Sequence, residues 1–317
     1  MLGFYYQPWS LCLDWILKIG SRQNNKMHPV RLTGMRAEVV NMQSNMQTGG
    51  QRVVVTGAGS GLGRELSLRY AREGARLVLA DIQEAGLKQT LEMVEAAGGK
   101  GFWQRCDVRD FSQLAALAQS CDERLGGIDV LINNAGVASG GLFCDLTLED
   151  WEWQISINLM GVVKGCKAFV PMLMKQKHGR IINIGSMAAL MQAPGMSNYN
   201  VAKAGVVALS ESLMAELHPL GIKVNVVCPS FFQTNLLDSF RGPDQAAKQQ
   251  IAKLLESSPI NAADVADFVY RESEAGTFMI LPHEAGRAAW AAKQANPQVI
   301  YDEMIRLASK KMEPSAN

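Results

Sequence analysis

From Gln51 onward, short unbroken runs of apolar residues alternate with longer stretches in which apolar positions recur every three or four residues. Unbroken runs rich in Val, Ile and Leu predict strands covered on both faces, and the wider spacing predicts amphipathic helices. The strands fall at residues 52–56, 76–80, 101–106, 130–132, 180–184, 222–227 and 278–281. Strands alternating with helices predict one α/β domain: a doubly wound, parallel, seven-stranded sheet with helices on both faces, spanning residues 51–282. Within it, residues 231–258 read as a helical insertion capping the site, either a mobile lid or a fixed cover. Residues 283–317 read as tail helices broken near Asn296-Pro297.

The first fifty residues do not share this pattern. Residues 8–17 form an aromatic and apolar patch, too short to cross a bilayer and interrupted by Asp14. No basic run precedes the patch, so it makes a poor secretory signal. Residues 1–50 are therefore expected to be a disordered extension, or an untranslated stretch with the true start at Met42 or Met46. The alternative is a helix that lies on a membrane surface or binds a partner.

Composition narrows the functional classes. The chain has 317 residues, of which 48% are hydrophobic, enough for a large core. Thirty-one Lys and Arg against 30 Asp and Glu leave a net charge of +1, with no electrostatic footprint for nucleic acid. The six cysteines form no CxxC pair and have no regular spacing, so free thiols in a reducing, cytoplasmic setting are expected. The four histidines join no cysteine or carboxylate cluster, and no metal is expected.

Two motifs carry chemistry. After the first strand comes Gly57-Ala58-Gly59-Ser60-Gly61-Leu62-Gly63, then a helical stretch from Arg64. Strand, glycine turn and helix form the context of a dinucleotide-binding loop. Glycines let the backbone approach a pyrophosphate, and the helix start offers free N–H groups and the positive dipole end. Asp81 ends the second strand, where an acid would accept hydrogen bonds from the adenosine ribose and repel a 2′-phosphate. The loop holds no Lys or Arg before Arg64, and both features favour NAD over NADP. Asp81 is also placed to cap the following helix.

The second motif is Tyr199 and Lys203, four residues apart and so on one helical face, with Ser186 upstream at a strand end. An ordinary phenol titrates near ~10 and trades protons poorly at neutral pH. A fixed ammonium beside it favours the phenolate and is expected to lower its pKa, making Tyr199 a general acid/base. A nearby serine hydroxyl can polarise a substrate carbonyl.

With both motifs in place, the chain resembles the short-chain dehydrogenase/reductase family over roughly residues 51–281. Thr56 and the glycine run match the family's Thr-Gly-x-x-x-Gly-x-Gly loop, and Asn133-Asn134-Ala135-Gly136 matches its Asn-Asn-Ala-Gly. Cys106-Asp107-Val108 resembles the strand end that contacts adenine, and residues 181–186 match the strand that ends in the catalytic serine. The family often has Pro-Gly after its sixth strand; here Pro229 is followed by Ser230. The resemblance implies a Rossmann fold and hydride transfer between a nicotinamide cofactor and an alcohol or carbonyl carbon. It implies Tyr199 as acid/base, Ser186 as the hydroxyl holding the substrate oxygen, Lys203 tuning Tyr199 and binding the nicotinamide ribose, and Asn158 in the proton relay. Gly57, Ser60, Gly61, Leu62, Gly63, Asp81, Asp107, Val108, Asn134, Ala135, Gly136 and Thr234 then join Tyr199 and Lys203 in holding the cofactor, expected to be NAD rather than NADP. A homodimer or homotetramer is expected by the same likeness.

Met187, Met191, Met196, Phe231, Phe232 and Phe143 are expected to flank the substrate, which points to a hydrophobic secondary alcohol or ketone. Ordinary core or interface packing would use the same residue types. Two other functions stay open: an NADPH-dependent 3-oxoacyl reductase, and an NAD-binding regulator that does not catalyse.

Overall fold

The computed structural model describes residues 50–312, apart from residues 235, 236, 238, 243 and 244. The amino-terminal patch around Trp9 and the alternative starts Met42 and Met46 lie outside the described residues. β1 (Arg52–Thr56) leads into α1 (Gly61–Ala71), β2 (Arg76–Asp81) into α2 (Glu84–Ala96), and β3 (Lys100–Arg105) into α3 (Phe111–Leu125). β4 (Val130–Asn133) is followed by two helices, α4 (Leu148–Asn158) and α5 (Met160–Gln176). β5 (Gly179–Ile184) precedes a one-turn helix α6 (Ala188–Met191) and the long α7 (Ser197–Leu217). β6 (Ile222–Val227), α8 (Gln245–Glu256), α9 (Ala262–Ala275) and β7 (Met279–Ile280) complete the sheet, and α10 (Glu284–Ala295) and α11 (Pro297–Met312) follow.

The seven strands run in the order β3-β2-β1-β4-β5-β6-β7, every pair parallel. The chain winds outward from β1 to β3, then returns to lay β4 against the other side of β1. The carboxyl ends of β1 and β4 therefore flank the point where the winding reverses, the place where open α/β sheets form their ligand crevice.

Alternation along each strand feeds two cores. Val53, Val55, Leu77 and Leu79 point to one face, packed with Leu66, Tyr70, Val265 and Val269 from α1 and α9. Val54, Val78 and Leu131 point to the other, packed with Leu117, Phe169 and Val206 from α3, α5 and α7. Each large aliphatic side chain so buried contributes about 1.5–3 kcal/mol. Double coverage explains why the strands read as unbroken apolar runs.

Some polar groups are buried inside this frame. Asn133 donates to Asn183 Oδ1 at 2.9 Å, and Asn183 donates to Ser210 Oγ at 3.0 Å, a chain linking β4, β5 and α7. Arg52, at the foot of β1, pairs with Asp129 at 2.6 Å. Among the described residues, Leu148–Gln176 is long and apolar enough to cross a membrane, with a mean hydropathy of 1.3. It comprises α4 and α5, divided at Leu159, and the inner face of α5 packs Val162, Cys166, Phe169 and Leu173 into the core.

The stretch expected as a cap carries α8 and is tied across the sheet's open end by backbone pairing. Arg241 N donates to Ala138 O at 3.1 Å, and Gly140 N donates to Arg241 O at 3.2 Å. Gln233 pairs with Asn261 just before α9.

Candidate active site

At the end of β1 the chain turns through Gly57 (φ 65°) and Gly61 (φ 51°), a left-handed region that side chains disfavour. A β-carbon on Gly57 would stand 2.8 Å from Ala135 Cα, so space forbids one as well. Asn134 holds the turn by donating from Nδ2 to Thr56 O at 2.9 Å and Gly57 O at 3.1 Å. Thr56 Oγ1 in return accepts from the backbone N–H groups of Asn134 and Ala135. The carboxyl ends of β1 and β4 are thus knitted together by side chains. α1 starts at Gly61 with no side-chain cap on its free N–H groups and no acidic residue in its first turn. That leaves an end suited to an anion.

Asp81 stands at the exit of β2. Its Oδ2 accepts from Gly59 N and its Oδ1 from Gln83 N, each at 3.0 Å. Each carboxylate oxygen keeps a further lone pair for a hydroxyl. The turn into α2 and a ribose contact are therefore compatible uses of the same acid. The Arg64 guanidinium is occupied by Gly59 O, Thr90 Oγ1 and Gln89. Asp107 pairs with Arg109 at 2.6 Å, and this neighbour holds its carboxyl below the usual range. Val108, buried, packs against Gly161 at the start of α5.

The other half of the cleft is built by β5 and α7. Ser186 follows β5, its hydroxyl accepts from Ala188 N at 3.1 Å, and it lines the cleft together with Tyr199. Tyr199 lies in the first turn of α7, between buried Asn198, which donates to Ser139 Oγ at 2.8 Å, and buried Asn200, which donates to Ala193 O at 2.8 Å. One turn on, Lys203 is 4% exposed. Its Nζ donates to Ile184 O at 2.9 Å and lies 5.8 Å from the Tyr199 ring centre. Asn158 is the last residue of α4, and its side chain makes a closed pair of bonds with Val137, accepting at 2.8 Å and donating at 2.9 Å. A β-carbon on Gly136 would come within 3.2 Å of Asn158 Oδ1 and 3.6 Å of Lys203 Nζ, so the glycine lets these groups meet. Ser186, Tyr199, Lys203, the glycine loop, Asp81, Asp107, Val108, Asn134, Ala135, Gly136 and Thr234 all line one cleft of about 950 Å³. Asn158 stands just behind its wall.

Residues 51–245 match the family described as short chain dehydrogenase. The chain belongs to the short-chain dehydrogenase/reductase family. The family chain is 34% identical over 235 residues to the oxidoreductase UcpA of Salmonella typhimurium, covering 69% of this chain and 87% of the relative. It is 32% identical over 209 residues to the 3-oxoacyl-[acyl-carrier-protein] reductase FabG of Thermotoga maritima, covering 66% and 84%. Against "Probable oxidoreductase EphD" of Mycobacterium tuberculosis the identity is 39% over 186 residues, but this spans only 31% of that longer protein. Among solved structures, a Burkholderia phymatum short-chain dehydrogenase/reductase in complex with NAD superposes with a TM-score of 0.75 at 32% identity, covering 80% of this chain and 96% of that one. Sequence and fold together make this short-chain dehydrogenase/reductase an oxidoreductase.

The ionisable groups of this half of the cleft are shifted by burial. Lys203 is pushed down from 10.5 to about 8, because its ammonium is taken from water. Tyr199 is pushed up from 10.0, first by burial of the phenolate, although the hydrogen bond from Ser186 pulls the other way. The direction reverses the sequence expectation. An ammonium that is itself disfavoured by burial, with its proton aimed at Ile184 O, does not outweigh the phenolate's loss of water.

On the substrate side, Met187, Met191, Met196, Phe231 and Phe232 line the cleft as expected. Phe143 does not. It is 69% exposed and packs edge-on against Trp151 of α4, ring centres 6.1 Å apart, because the chain turns outward after Gly141 bridges to Met196. Trp153, Phe240 and Arg241 line the cleft too, with the Arg241 guanidinium 4.9 Å above the Trp153 ring. So do Ala285, Gly286 and Ala289 of α10. No sequence motif marks these residues; only the folding back of the tail brings α10 to the cleft. Among the described residues, no group of three or more His, Cys, Asp or Glu is placed to hold a metal ion.

Proposed function

We propose that the protein transfers a hydride between NAD and a hydrophobic secondary alcohol or ketone, with Tyr199 as acid/base. The observation that carries this reading is that Ser186, Tyr199 and, one turn along, Lys203 line the same cleft as the glycine loop. The cleft's other end fits a dinucleotide. The uncapped start of α1 suits a pyrophosphate, and the spare lone pairs of Asp81 suit a ribose diol. The Arg64 guanidinium, just past the glycine loop, is held by protein acceptors rather than presented to a 2′-phosphate, which favours NAD over NADP.

When bound, the nicotinamide supplies a hydride acceptor or donor. The chain's own residues do the rest. Ser186 holds the substrate oxygen, and Tyr199 takes the hydroxyl proton as the carbinol hydride leaves, or returns it in reduction. Lys203 binds the nicotinamide ribose and restores the proton, and Asn158 shapes the relay behind it. Asp107 and Val108 flank the adenine, Asn134, Ala135 and Gly136 the cofactor's middle, and Thr234 the nicotinamide end. The methionine and phenylalanine wall selects an apolar substrate, and residues 231–258 cover it.

The test is a fluorescence titration with NADH and NADPH, followed by turnover of a panel of secondary alcohols. Tighter NADH binding and turnover of apolar alcohols are expected. Tighter NADPH binding would put the 3-oxoacyl reductase reading first, and NADH binding with no turnover of any alcohol or ketone would favour a regulator. Tyr199→Phe is expected to lower turnover at least about a hundredfold, the lower range for a positioned acid/base, with NADH binding within about twofold of the parent. Parent-like turnover in that variant would overturn the assignment.

A further inference from the structure

Two buried ionisable side chains of the tail segment, beyond the family match, lie outside the chemistry described so far. His283 precedes α10 and is 9% exposed. Its Nδ1 accepts from Ser230 N at 3.1 Å, in the loop after β6 that supplies Pro229, Ser230, Phe231 and Phe232 to the cleft. Ser230 is where the family often has glycine. A side chain from α10 thus fixes the path of a loop whose backbone freedom is reduced.

Lys293 lies near the other end of α10 and is also 9% exposed. It donates to Leu190 O at 2.6 Å and to the Gln192 side chain, in the loop after β5 that begins at Ser186. Gln192 has φ 45°, the left-handed region that a side chain enters at a cost, and Lys293 holds it there. Between the two anchors, Gly286 meets Met187: a β-carbon there would lie 3.1 Å from the Met187 sulfur. α10 therefore touches the loop after β6 and Met187 at its start, and Leu190 and Gln192 near its other end.

We propose that α10 is a clamp that sets the spacing between the Ser186 loop and the Pro229–Phe232 loop, with His283 and Lys293 as its two positioning residues. It deepens the reading of Ser186 and Tyr199 as the reacting pair and rests on that reading for its effect on turnover. The two loops lie side by side at the carboxyl ends of β5 and β6, joined by Met187 N donating to Pro229 O at 2.9 Å, and both line the cleft, so a shift of either moves the substrate oxygen relative to the cofactor.

The test uses the full chain with His283→Leu, which removes the acceptor; His283→Asn, which keeps an oxygen acceptor near the Nδ1 position; and Lys293→Met, which keeps the stem and removes the donor. Hydrogen–deuterium exchange read by mass spectrometry needs no substrate. His283→Leu and Lys293→Met are each expected to speed exchange about tenfold in both loops, residues 186–192 and 229–232, and His283→Asn to restore protection. Loosening confined to the mutated residue's own loop would overturn the clamp. In the alcohol panel with NAD, His283→Leu should lower kcat about tenfold with KM and NADH binding little changed, the size expected when reacting groups are slightly misplaced, and His283→Asn should recover most of it. Unchanged kcat in both His283→Leu and Lys293→Met would also overturn it. Tyr199→Phe in the same assay separates the two claims. An active Tyr199→Phe sinks the reacting pair, whereas an inactive one beside a fully active His283→Leu sinks the clamp alone.

Discussion

Lys203 shows how a single residue can be tuned by where it is put. Burial lowers it from 10.5 to about 8, so between those values the unfolded chain binds more protons than the folded one. Stability attributable to this residue therefore rises as pH increases from about 8. The buried thiols of Cys228 and Cys166, raised from 9.0 to about 11 and about 12, act in the opposite sense above 9.0. Comparing the parent with Lys203→Met cancels the Cys166 contribution, while Cys228, which Lys203 holds down, is read together with Lys203. Denaturant unfolding from pH 7 to 10 should show the variant's advantage shrinking by up to about 3 kcal/mol, the equivalent of the Lys203 shift. A constant difference would mean that Lys203 titrates normally. The pairing of Tyr199 with Lys203 was legible at this scale because spacing alone puts them on one helical face. The proton affinities were not, since they depend on water excluded by distant residues. Phe143 was misplaced for a related reason: its direction depends on the Gly141–Met196 bridge, which no local pattern announces.

At the scale of elements, the same physics that made strands easy to read hid the small pieces. The strands stand out because both faces are covered, and β3, expected at 101–106, is observed one residue earlier at Lys100–Arg105. α6 is a single turn, too short to show periodicity, yet it forms the cleft wall that Lys293 grips. The β1–α1 turn makes a sharp prediction. Gly57→Ala meets both a positive φ and the Ala135 backbone, so it should cost about 1–3 kcal/mol and abolish detectable NADH binding. Thermal unfolding and titration check the two parts separately. The Asn133–Asn183–Ser210 chain makes another: Asn183→Ala leaves Asn133 with only the Cys166 sulfur at 3.4 Å and Ser210 with only its bond to Val206 O, in a dry interior, and should cost about 1–3 kcal/mol. Loss of less than half a unit would mean that the neighbours re-pair.

For the whole molecule, a doubly wound parallel sheet was implied by the alternation of strands and helices, and the observed order is one of the few right-handed topologies this leaves. The position of the glycine loop and of Asn134 beside it follows from that order, because β1 and β4 are sheet neighbours although far apart in sequence. What the alternation did not show is that the tail returns. α10 lies beyond the family match, and its small residues complete the cleft from outside the sheet. Ala289→Phe should therefore narrow the cleft and lower kcat/KM for bulky alcohols about tenfold or more, while small alcohols lose little. Equal loss for all alcohols would point to a general disturbance instead.

The strand order also has a consequence in time. β1, β2 and β3 leave the ribosome first and are neighbours in the sheet, and β4, β5, β6 and β7 then add one by one along the other side. Growth by accretion onto an existing edge needs no finished strand to be displaced. The cleft, however, closes only when His283 and Lys293 emerge and dock, so a nascent chain already carrying Ser186, Tyr199 and Lys203 still lacks the part that holds its two loops in place.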